Sequence, residues 1–333
     1  YRVFLMDERG TGRSHKIDRT TPERITPQFL SHLRPPDVAA DAEALREHLG
    51  FEQWDLLGNS FGAACAGSYL SYFPHGVRRA HLVGAVPEPE MDVDAFNRAG
   101  YRLLAERQRE LFAEVPWLRS RVEEVARHVD THDERMPTGE RLSSTRLRSS
   151  GVLLGEEGDF GALVNLFEAP FTSHRGELRL RGDFLAQLGG IISTETMPLW
   201  AVVHETVMAR PGHPVNWSAE RIYRGEFADL TLLGNQFFTT HFEEDPALRP
   251  FFGAVDEVHR MDTLKAQSDD VSGNRVPAAA LLFTNDVYLP YELSIQSAAK
   301  VGNLQVWTHE QWLHDAIWVH GDAVAKGIFG MLE

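Results

Sequence analysis

The stretch Gly58-Asn59-Ser60-Phe61-Gly62 carries the strongest information about the fold of this chain. It has the pattern G-x-S-x-G. The short apolar run Trp54-Asp55-Leu56-Leu57 precedes it, and a segment of mostly small residues follows it at positions 63–70. A strand, a sharp turn and a helix in this order form a turn that lifts a serine hydroxyl clear of a sheet. The sequence therefore predicts a strand–turn–helix unit with Ser60 at its apex.

The chemistry expected at this turn follows from its geometry. A serine exposed there is placed to act as a nucleophile. The backbone N–H of Phe61, at the start of the helix, can stabilise an oxyanion. We expect Gly58 and Gly62 to be glycines because a Cβ at either position would collide with the neighbouring strand or helix.

The composition is that of a globular protein with more acidic than basic residues. The chain has 333 residues, 43% of them hydrophobic and 24% charged, and a formal net charge of −15. Nucleic acids and anionic membrane surfaces attract clusters of Lys and Arg, so this charge argues against both as partners. No apolar run approaches the length of a membrane span, and no signal-peptide pattern is visible. The single cysteine, Cys65, excludes an internal disulfide and favours a reducing compartment, so we expect a cytoplasmic protein.

Apolar strands alternate with helices at both ends of the chain. Strands are predicted at residues 1–6, 54–57, 77–86, 276–283 and 304–307. Helices are predicted at residues 38–49, 61–73, 292–301 and 315–332. This alternation predicts a mostly parallel sheet with right-handed crossovers. Because the chain starts inside an apolar strand and without Met, we expect the N-terminal strands of the sheet to be missing from this sequence.

The middle of the chain has a different pattern. From about Pro87 to Asn274 the sequence is mainly helical and more highly charged, with helices predicted at residues 95–115, 118–129 and 197–208. We therefore predict three regions. Residues 1–86 and 275–333 form the two parts of an α/β core, and residues 87–274 form a mainly helical cap inserted between them.

A serine hydroxyl becomes a good nucleophile only when a base takes its proton and a carboxylate orients that base. In folds with this elbow, the chain order is Ser, then Asp or Glu, then His. Asp286 and His314 each follow a predicted strand, and active sites collect at the carboxyl ends of parallel strands. We predict Asp286 as the orienting acid and His314 as the base, with His309 as the alternative base. His320 is expected inside the last helix.

Four stretches of the sequence resemble the proline iminopeptidases, also called prolyl aminopeptidases. Residues 7–14, D-E-R-G-T-G-R-S, are similar to the D-Q-R-G-x-G-R-S loop of that family, and residues 58–63, G-N-S-F-G-A, are similar to its G-Q-S-F-G-G elbow. Residues 285–294, N-D-V-Y-L-P-Y-E-L-S, are similar to D-D-M-Y-V-x-x-E-L-S, and residues 311–315, Q-W-L-H-D, to E-Y-E-H-D.

The resemblance implies an α/β-hydrolase fold with a helical cap, and release of N-terminal proline from short peptides through an acyl-enzyme. It implies Ser60 as the nucleophile, Asp286 as the acid and His314 as the base. Relatives bind the free α-amino group with acidic residues of the cap, and Glu205, in a stretch similar to their cap, is our candidate for that contact. Their H-G-G-P-G loop, the source of the second oxyanion N–H, is expected before the first residue.

The sequence departs from the family pattern at positions that bear on specificity for proline more than on the hydrolytic reaction itself. Gly234-Asn235-Gln236 stands where larger relatives show G-E-M, which removes one acidic contact. An esterase or amidase of other specificity is therefore one alternative, and an inactive hydrolase-fold binding protein is another. We expect Arg9 and Arg13 to form buried ion pairs that tie the strand ends together. No cofactor or metal is expected, because His241 and the acidic residues 243–245 lack the spacing of metal ligands.

Overall fold

The molecule combines a small number of strands with many helices. The computed structural model describes residues 2–88 and 92–333. The strands are β1 (Trp54–Asn59), β2 (Val77–Val83), β3 (Phe171–His174), β4 (Glu177–Leu180), β5 (Ala278–Phe283) and β6 (Leu304–His309). The helices are α1 (Pro27–Leu30), α2 (Pro35–His48), α3 (Phe61–Tyr72), α4 (Val93–Glu114), α5 (Pro116–Thr131), α6 (Ser144–Arg148), α7 (Asp159–Glu168), α8 (Gly182–Ile192), α9 (Pro198–Val203), α10 (Ser218–Glu226), α11 (Thr239–Glu244), α12 (Phe252–His259), α13 (Tyr291–Ala298), α14 (Ala316–Val319) and α15 (Gly321–Gly330).

Four of the strands form one sheet in the order β1-β2-β5-β6, and all three neighbouring pairs are parallel. This confirms the parallel sheet predicted from the alternation of strands and helices. Parallel strands need crossover connections, and α3 supplies one between β1 and β2. The chain then leaves the sheet after β2 and returns at β5, so these two strands are neighbours in space although they are far apart in sequence.

Helices cover both faces of the sheet. Every residue of β5 is buried, which explains why the sequence there is a continuous apolar run rather than an alternating one. The apolar residues that join α3 and α13 to one face are Ala63, Ala66, Leu82, Ala280, Leu282 and Ala298. Those that join α14 and α15 to the other face are Val83, Leu281, Phe283, Ala316, Val324 and Ile328.

The chain between β2 and β5 is mainly helical and has a hydrophobic core of its own. Its helices pack through buried residues that include Tyr101, Leu111, Val125 and Phe167. It also contains the antiparallel hairpin β3–β4, which the sequence did not indicate. The predicted division into a core of residues 1–86 and 275–333 and a cap of residues 87–274 stays a prediction.

Three predicted elements differ in the structure. The helix predicted at residues 197–208 ends at Val203, and a separate 3-10 turn follows at residues 206–208. Residues 2–6 of the strand predicted at 1–6 form no strand, and Val3 and Leu5 are exposed, because an apolar pattern alone supplies no neighbouring strand to complete a hydrogen-bond ladder. The closing helix is broken at His320, whose backbone is not helical, and α15 starts at Gly321. Tyr1 of the predicted first strand and residues 89–91 near the predicted start of the cap lie outside the described residues.

The arginines of the loop at residues 7–14 also behave differently from each other. Arg9 is half-buried and pairs with Asp41 through its Nε and Nη2 atoms, both 2.7 Å from a carboxylate oxygen. The side chain of Arg13 is exposed and forms no ion pair within the described residues. The expectation of buried ion pairs is therefore wrong for Arg13, because the loop turns that side chain toward solvent.

Within the described part of the chain, no helix has the length and apolarity needed to cross a bilayer.

We predict that Leu281→Ala lowers the free energy of unfolding by about 2–5 kcal/mol, because it removes fully buried atoms from the central strand and leaves a cavity. The same substitution at the exposed Leu178 of β4 is the matched control and is expected to change it by about 0.5 kcal/mol or less. Urea unfolding of both variants measures the difference. Equal losses would contradict a core centred on β5.

Candidate active site

The carboxyl ends of the four parallel strands bring chemically important residues to one edge of the sheet. Ser60 directly follows β1, Gly84 directly follows β2, Asp286 lies in the loop after β5, and His314 lies in the loop after β6. Open parallel sheets form their sites at this edge because the loops there are free to vary while the strands hold them in place. The side chains predicted as nucleophile, acid and base therefore come together although Ser60 lies 254 residues before His314 in the sequence.

A continuous chain of hydrogen bonds joins these three side chains. His314 Nε2 lies 2.8 Å from Ser60 Oγ. His314 Nδ1 lies 2.7 Å from Asp286 Oδ2. With Nδ1 protonated and donating to the carboxylate, Nε2 is free to accept the serine proton. The arrangement can therefore deprotonate Ser60 and hold the resulting imidazolium against a carboxylate.

The backbone of Ser60 is held in an unusual conformation. Its φ is +54° and its ψ is −117°, a region that residues with a Cβ rarely adopt. The Ser60 N–H donates to the carbonyl of Val83 at 2.8 Å, which ties the turn to the end of β2. Phe61 follows as the first residue of α3, and its N–H has no acceptor one turn earlier in that helix.

The two glycines of the turn have different roles. A Cβ on Gly58 would lie 2.1 Å from the carbonyl oxygen of Gly62, so this position admits no side chain without a shift of the backbone. A Cβ on Gly62 would meet no atom within 4 Å. The expectation that both glycines avoid a collision is thus wrong for Gly62, because its Cβ would point into open space.

The surroundings of His314 raise its affinity for a proton. Burial opposes the charged imidazolium, but the charge and hydrogen bond of Asp286 outweigh it and raise the pKa of His314 above its ordinary value. The Tyr288 ring contacts the imidazole edge-on at 5.1 Å between ring centres. Gly84, with a φ of +79°, lies beneath the ring, where a Cβ would come within 3.3 Å of His314 Cε1. The imidazole is therefore enclosed on several sides.

Burial and two backbone hydrogen bonds hold the Asp286 side chain in one orientation. Its side chain is almost completely buried, and its Oδ1 accepts the backbone N–H groups of Tyr288 and Leu289 at 2.8 and 3.0 Å. Those two bonds leave Oδ2 directed at His314. An oriented carboxylate of this kind holds one tautomer and one ring orientation of its histidine.

A cavity of about 550 Å³ opens beside Ser60 and Phe61. Its walls are mostly apolar, and three carboxylates, Asp7, Glu8 and Glu88, lie on them. Burial raises the pKa of Glu8, and it raises the pKa of Glu88 to about 7. Neither Glu8 nor Glu88 was predicted from the sequence to take part in the site. Glu8 stands where the similar loop of the iminopeptidases has Gln, and that difference was the only signal in the sequence.

Glu205 lies in the interior of the helical region and is not among the described residues that line this cavity, although its neighbour His204 is. Its Oε1 accepts the Ala219 N–H at 2.6 Å and the Asn97 amide at 3.1 Å. Its Oε2 has His259 Nδ1 3.5 Å away. Burial raises the pKa of Glu205 to about 8, so the protonated carboxyl is favoured. The role predicted for Glu205 in binding an amine stays a prediction.

His309, the alternative base, is the last residue of β6, and His320 follows α14. Their rings make other contacts. His309 stacks on Trp312 at 3.8 Å between ring centres, and His320 pairs with Glu157 at 2.8 Å. Among the residues that the structure describes, no group of three or more His, Cys, Asp or Glu side chains is arranged to hold a metal ion.

Comparison with known proteins identifies similar sequences and folds. A family model described as the alpha/beta hydrolase fold matches residues 1–178. The proline iminopeptidase of Aeromonas sobria is 31% identical over 97% of this chain and 78% of its own length, and the proline iminopeptidase aneH of Aspergillus aculeatus is 23% identical over 100% of this chain and 78% of its own length. Among solved structures, MGS-M2, an alpha/beta hydrolase enzyme from a Medee basin deep-sea metagenome library, matches 97% of this chain and 78% of its own with a TM-score of 0.39 and 13% identity.

We predict that Gly58→Ala destabilises the protein while Gly62→Ala does not. The added methyl group at position 58 would overlap a backbone oxygen, and such overpacking costs about 1–3 kcal/mol. The methyl group at position 62 meets open space, and alanine suits a helix better than glycine. The free energy of unfolding of the two variants measures the contrast. A larger loss for Gly62→Ala would contradict the geometry of the turn.

Proposed function

Because the chain belongs to the proline iminopeptidase family of α/β-hydrolases, we propose that it is a serine aminopeptidase that releases N-terminal proline from short peptides. The observation that carries this proposal is the unbroken hydrogen-bond chain from Asp286 through His314 to Ser60 at the rim of the cavity. The relatives named proline iminopeptidase support the peptide substrate.

The proposed reaction has two stages, formation of an acyl ester on Ser60 and its hydrolysis, and His314 acts in both. Ser60 Oγ attacks the carbonyl carbon of the N-terminal residue while His314 Nε2 takes the hydroxyl proton. The Phe61 N–H donates to the oxyanion of the tetrahedral intermediate. His314 then returns the proton to the leaving amine, which departs as the shortened peptide and leaves an acyl ester on Ser60. A water molecule, deprotonated by His314, releases the amino acid and restores the serine.

Recognition of a free amine requires negative charge near the reacting carbonyl. Glu8 and Glu88 supply two carboxylates on the wall of the cavity that reaches Ser60. An ammonium group there would restore the charged form of carboxylates whose pKa values burial has raised. These residues therefore compete with Glu205 as the source of the amine contact. We favour Glu8 and Glu88 because they face the cavity.

The remainder of the cavity fits an apolar N-terminal residue. Aromatic side chains on its walls include Phe61, Phe96 and Tyr288, and a proline ring can pack against such faces. One observation favours the second candidate, an esterase or amidase with another specificity. Lys16 and Arg210 lie on the same walls and would repel a free amine.

We predict that Ser60→Ala lowers kcat for a prolyl anilide by about 10,000-fold or more, because the nucleophile is removed. Ser120→Ala, at an exposed serine of α5, is the control and is expected to keep full activity. Wild-type protein is assayed on prolyl, alanyl and N-acetyl-prolyl anilides and on simple esters. Preference for the prolyl anilide supports the proposal. Preference for N-acetylated substrates or esters would favour the second candidate, and unchanged turnover by Ser60→Ala would reject the nucleophile.

We predict that Glu8→Gln raises the KM for a prolyl anilide by about 10- to 100-fold and leaves the KM for an N-acetylated ester unchanged, because only the free amine pairs with the carboxylate. Glu88→Gln is tested in parallel, and Glu52→Gln at an exposed site is the matched control. A selective effect of Glu205→Gln, with none from Glu8→Gln or Glu88→Gln, would instead assign the amine contact to Glu205.

A further inference from the structure

Glu157, in the helical region, is hydrogen-bonded to the loop that carries His314. This residue lies in the segment before α7. Its backbone N–H donates to the carboxylate of Asp315, with distances of 3.1 and 3.2 Å to the two oxygens. Its side-chain Oε1 accepts the Leu313 N–H at 3.2 Å. Glu157 thus contacts the residues on both sides of His314 in sequence.

The second carboxylate oxygen of Glu157 extends this attachment beyond the loop, to the residue that follows α14. Oε2 lies 2.8 Å from Nε2 of His320, the residue between α14 and α15. The His320 ring is stacked on Trp312 at 4.8 Å with an interplanar angle of 16°, and Trp312 is in turn stacked on His309. These three rings and the Glu157 carboxylate therefore connect the end of β6, the loop and the residue that follows α14.

The same stretch of the helical region also contacts the Tyr288 ring, which lies edge-on to His314. The Tyr288 hydroxyl donates to the carbonyl of Val152. A Cβ on Gly155 would overlap the Tyr288 ring at 2.2 Å, which shows how closely the two segments approach. The imidazole and its loop therefore rest on residues 152–157, which are distant from the sheet in sequence.

We propose that Glu157 is a positioning residue. Through it, the contact between the helical region and the His314 loop determines the position of the base, His314. The inference rests on the proposed function, in which His314 takes the proton of Ser60. The loop between β6 and α14 has no regular structure, and the Leu313 N–H finds its acceptor on Glu157 rather than within the loop. When this contact is lost, the loop is free to move His314 Nε2 away from Ser60.

The expected size of the effect follows from the demands of proton transfer. Nε2 must stay within about 2.6–3.2 Å of the serine oxygen, and it lies at 2.8 Å here. A displacement of about 1 Å costs on the order of 100-fold in rate. Substrate binding depends on the cavity walls, and Glu157 is not among their described residues. Loss of Glu157 should therefore lower kcat and leave KM unchanged.

The test compares Glu157→Ala with the conservative Glu157→Gln. Alanine removes both side-chain bonds, whereas glutamine keeps an oxygen for the Leu313 N–H and an amide that can donate to His320. We expect Glu157→Ala to lower kcat by about 10- to 100-fold and Glu157→Gln to retain most of the rate. His320→Phe keeps a ring for stacking on Trp312 but lacks the bond to Glu157, so it should show a smaller loss. Glu157→Ala and His320→Phe both break the bond between residues 157 and 320. The loss of activation free energy in the double variant should therefore be smaller than the sum of the two single losses.

Two further measurements separate positioning from simple destabilisation. Glu168→Ala, at an exposed site on α7, is the matched control, and all variants are compared well below their melting temperatures. The rate at which a fluorophosphonate labels Ser60 reports on the base without requiring a peptide substrate. We expect slow labelling for Glu157→Ala and wild-type labelling for Glu168→Ala.

The outcomes distinguish the two proposals. Labelling of wild type and Glu157→Ala at equal rates would overturn the positioning role alone. A change in KM without a change in kcat, or equal losses in Glu157→Ala and Glu157→Gln, would overturn it as well. A wild-type protein whose Ser60 is not labelled would overturn the proposed function and the positioning role together.

Discussion

The hydrogen-bonded position of His314 is the constraint on which the rest of the site depends. One imidazole must reach a carboxylate that follows β5 and a hydroxyl that follows β1 at the same time. This is possible because the strands are parallel and end at one edge, with β2 between them. Gly84, at the end of β2, leaves the space that the ring occupies. The strained backbone of Ser60 belongs to the same constraint, since the turn aims the hydroxyl at the ring while its N–H stays bonded to β2.

The sheet and the helical region contribute different parts of the site. The sheet fixes the reacting groups, because its central strand is buried on both faces and cannot shift without opening the core. The helical region has its own core, so its side chains can change without loss of the sheet. It supplies much of the cavity wall, which includes Met197, Trp200 and His204. The cavity walls are therefore built largely outside the sheet, and Glu157 is one of the residues through which the two parts are hydrogen-bonded.

Sequence reasoning succeeded where a signal was local. The apolar run of β5 and the glycine-bounded turn at Ser60 each occupy a few adjacent residues, and the parallel sheet followed from the alternation of such apolar strands with helices. It failed where the outcome depends on distant partners. Residues 2–6 have a strand-like composition but no strand beside them. The closing helix has a continuous helical pattern, yet it breaks at His320, whose ring stacks on Trp312 and whose Nε2 bonds to Glu157.

By itself, the sequence determined the fold class, because turn chemistry and apolar periodicity are written in neighbouring positions. The resemblance of its motifs indicated the family and, with the order of serine, aspartate and histidine, the three residues proposed to react. Only the tertiary structure decided which carboxylates line the cavity. Glu8 and Glu88 lie on its wall, whereas Glu205 is enclosed among other side chains. The attachment of the His314 loop by Glu157 was equally invisible in the sequence. The physical reason is that burial and contact depend on the packing of segments far apart in the chain, and a single sequence records the segments but not their packing.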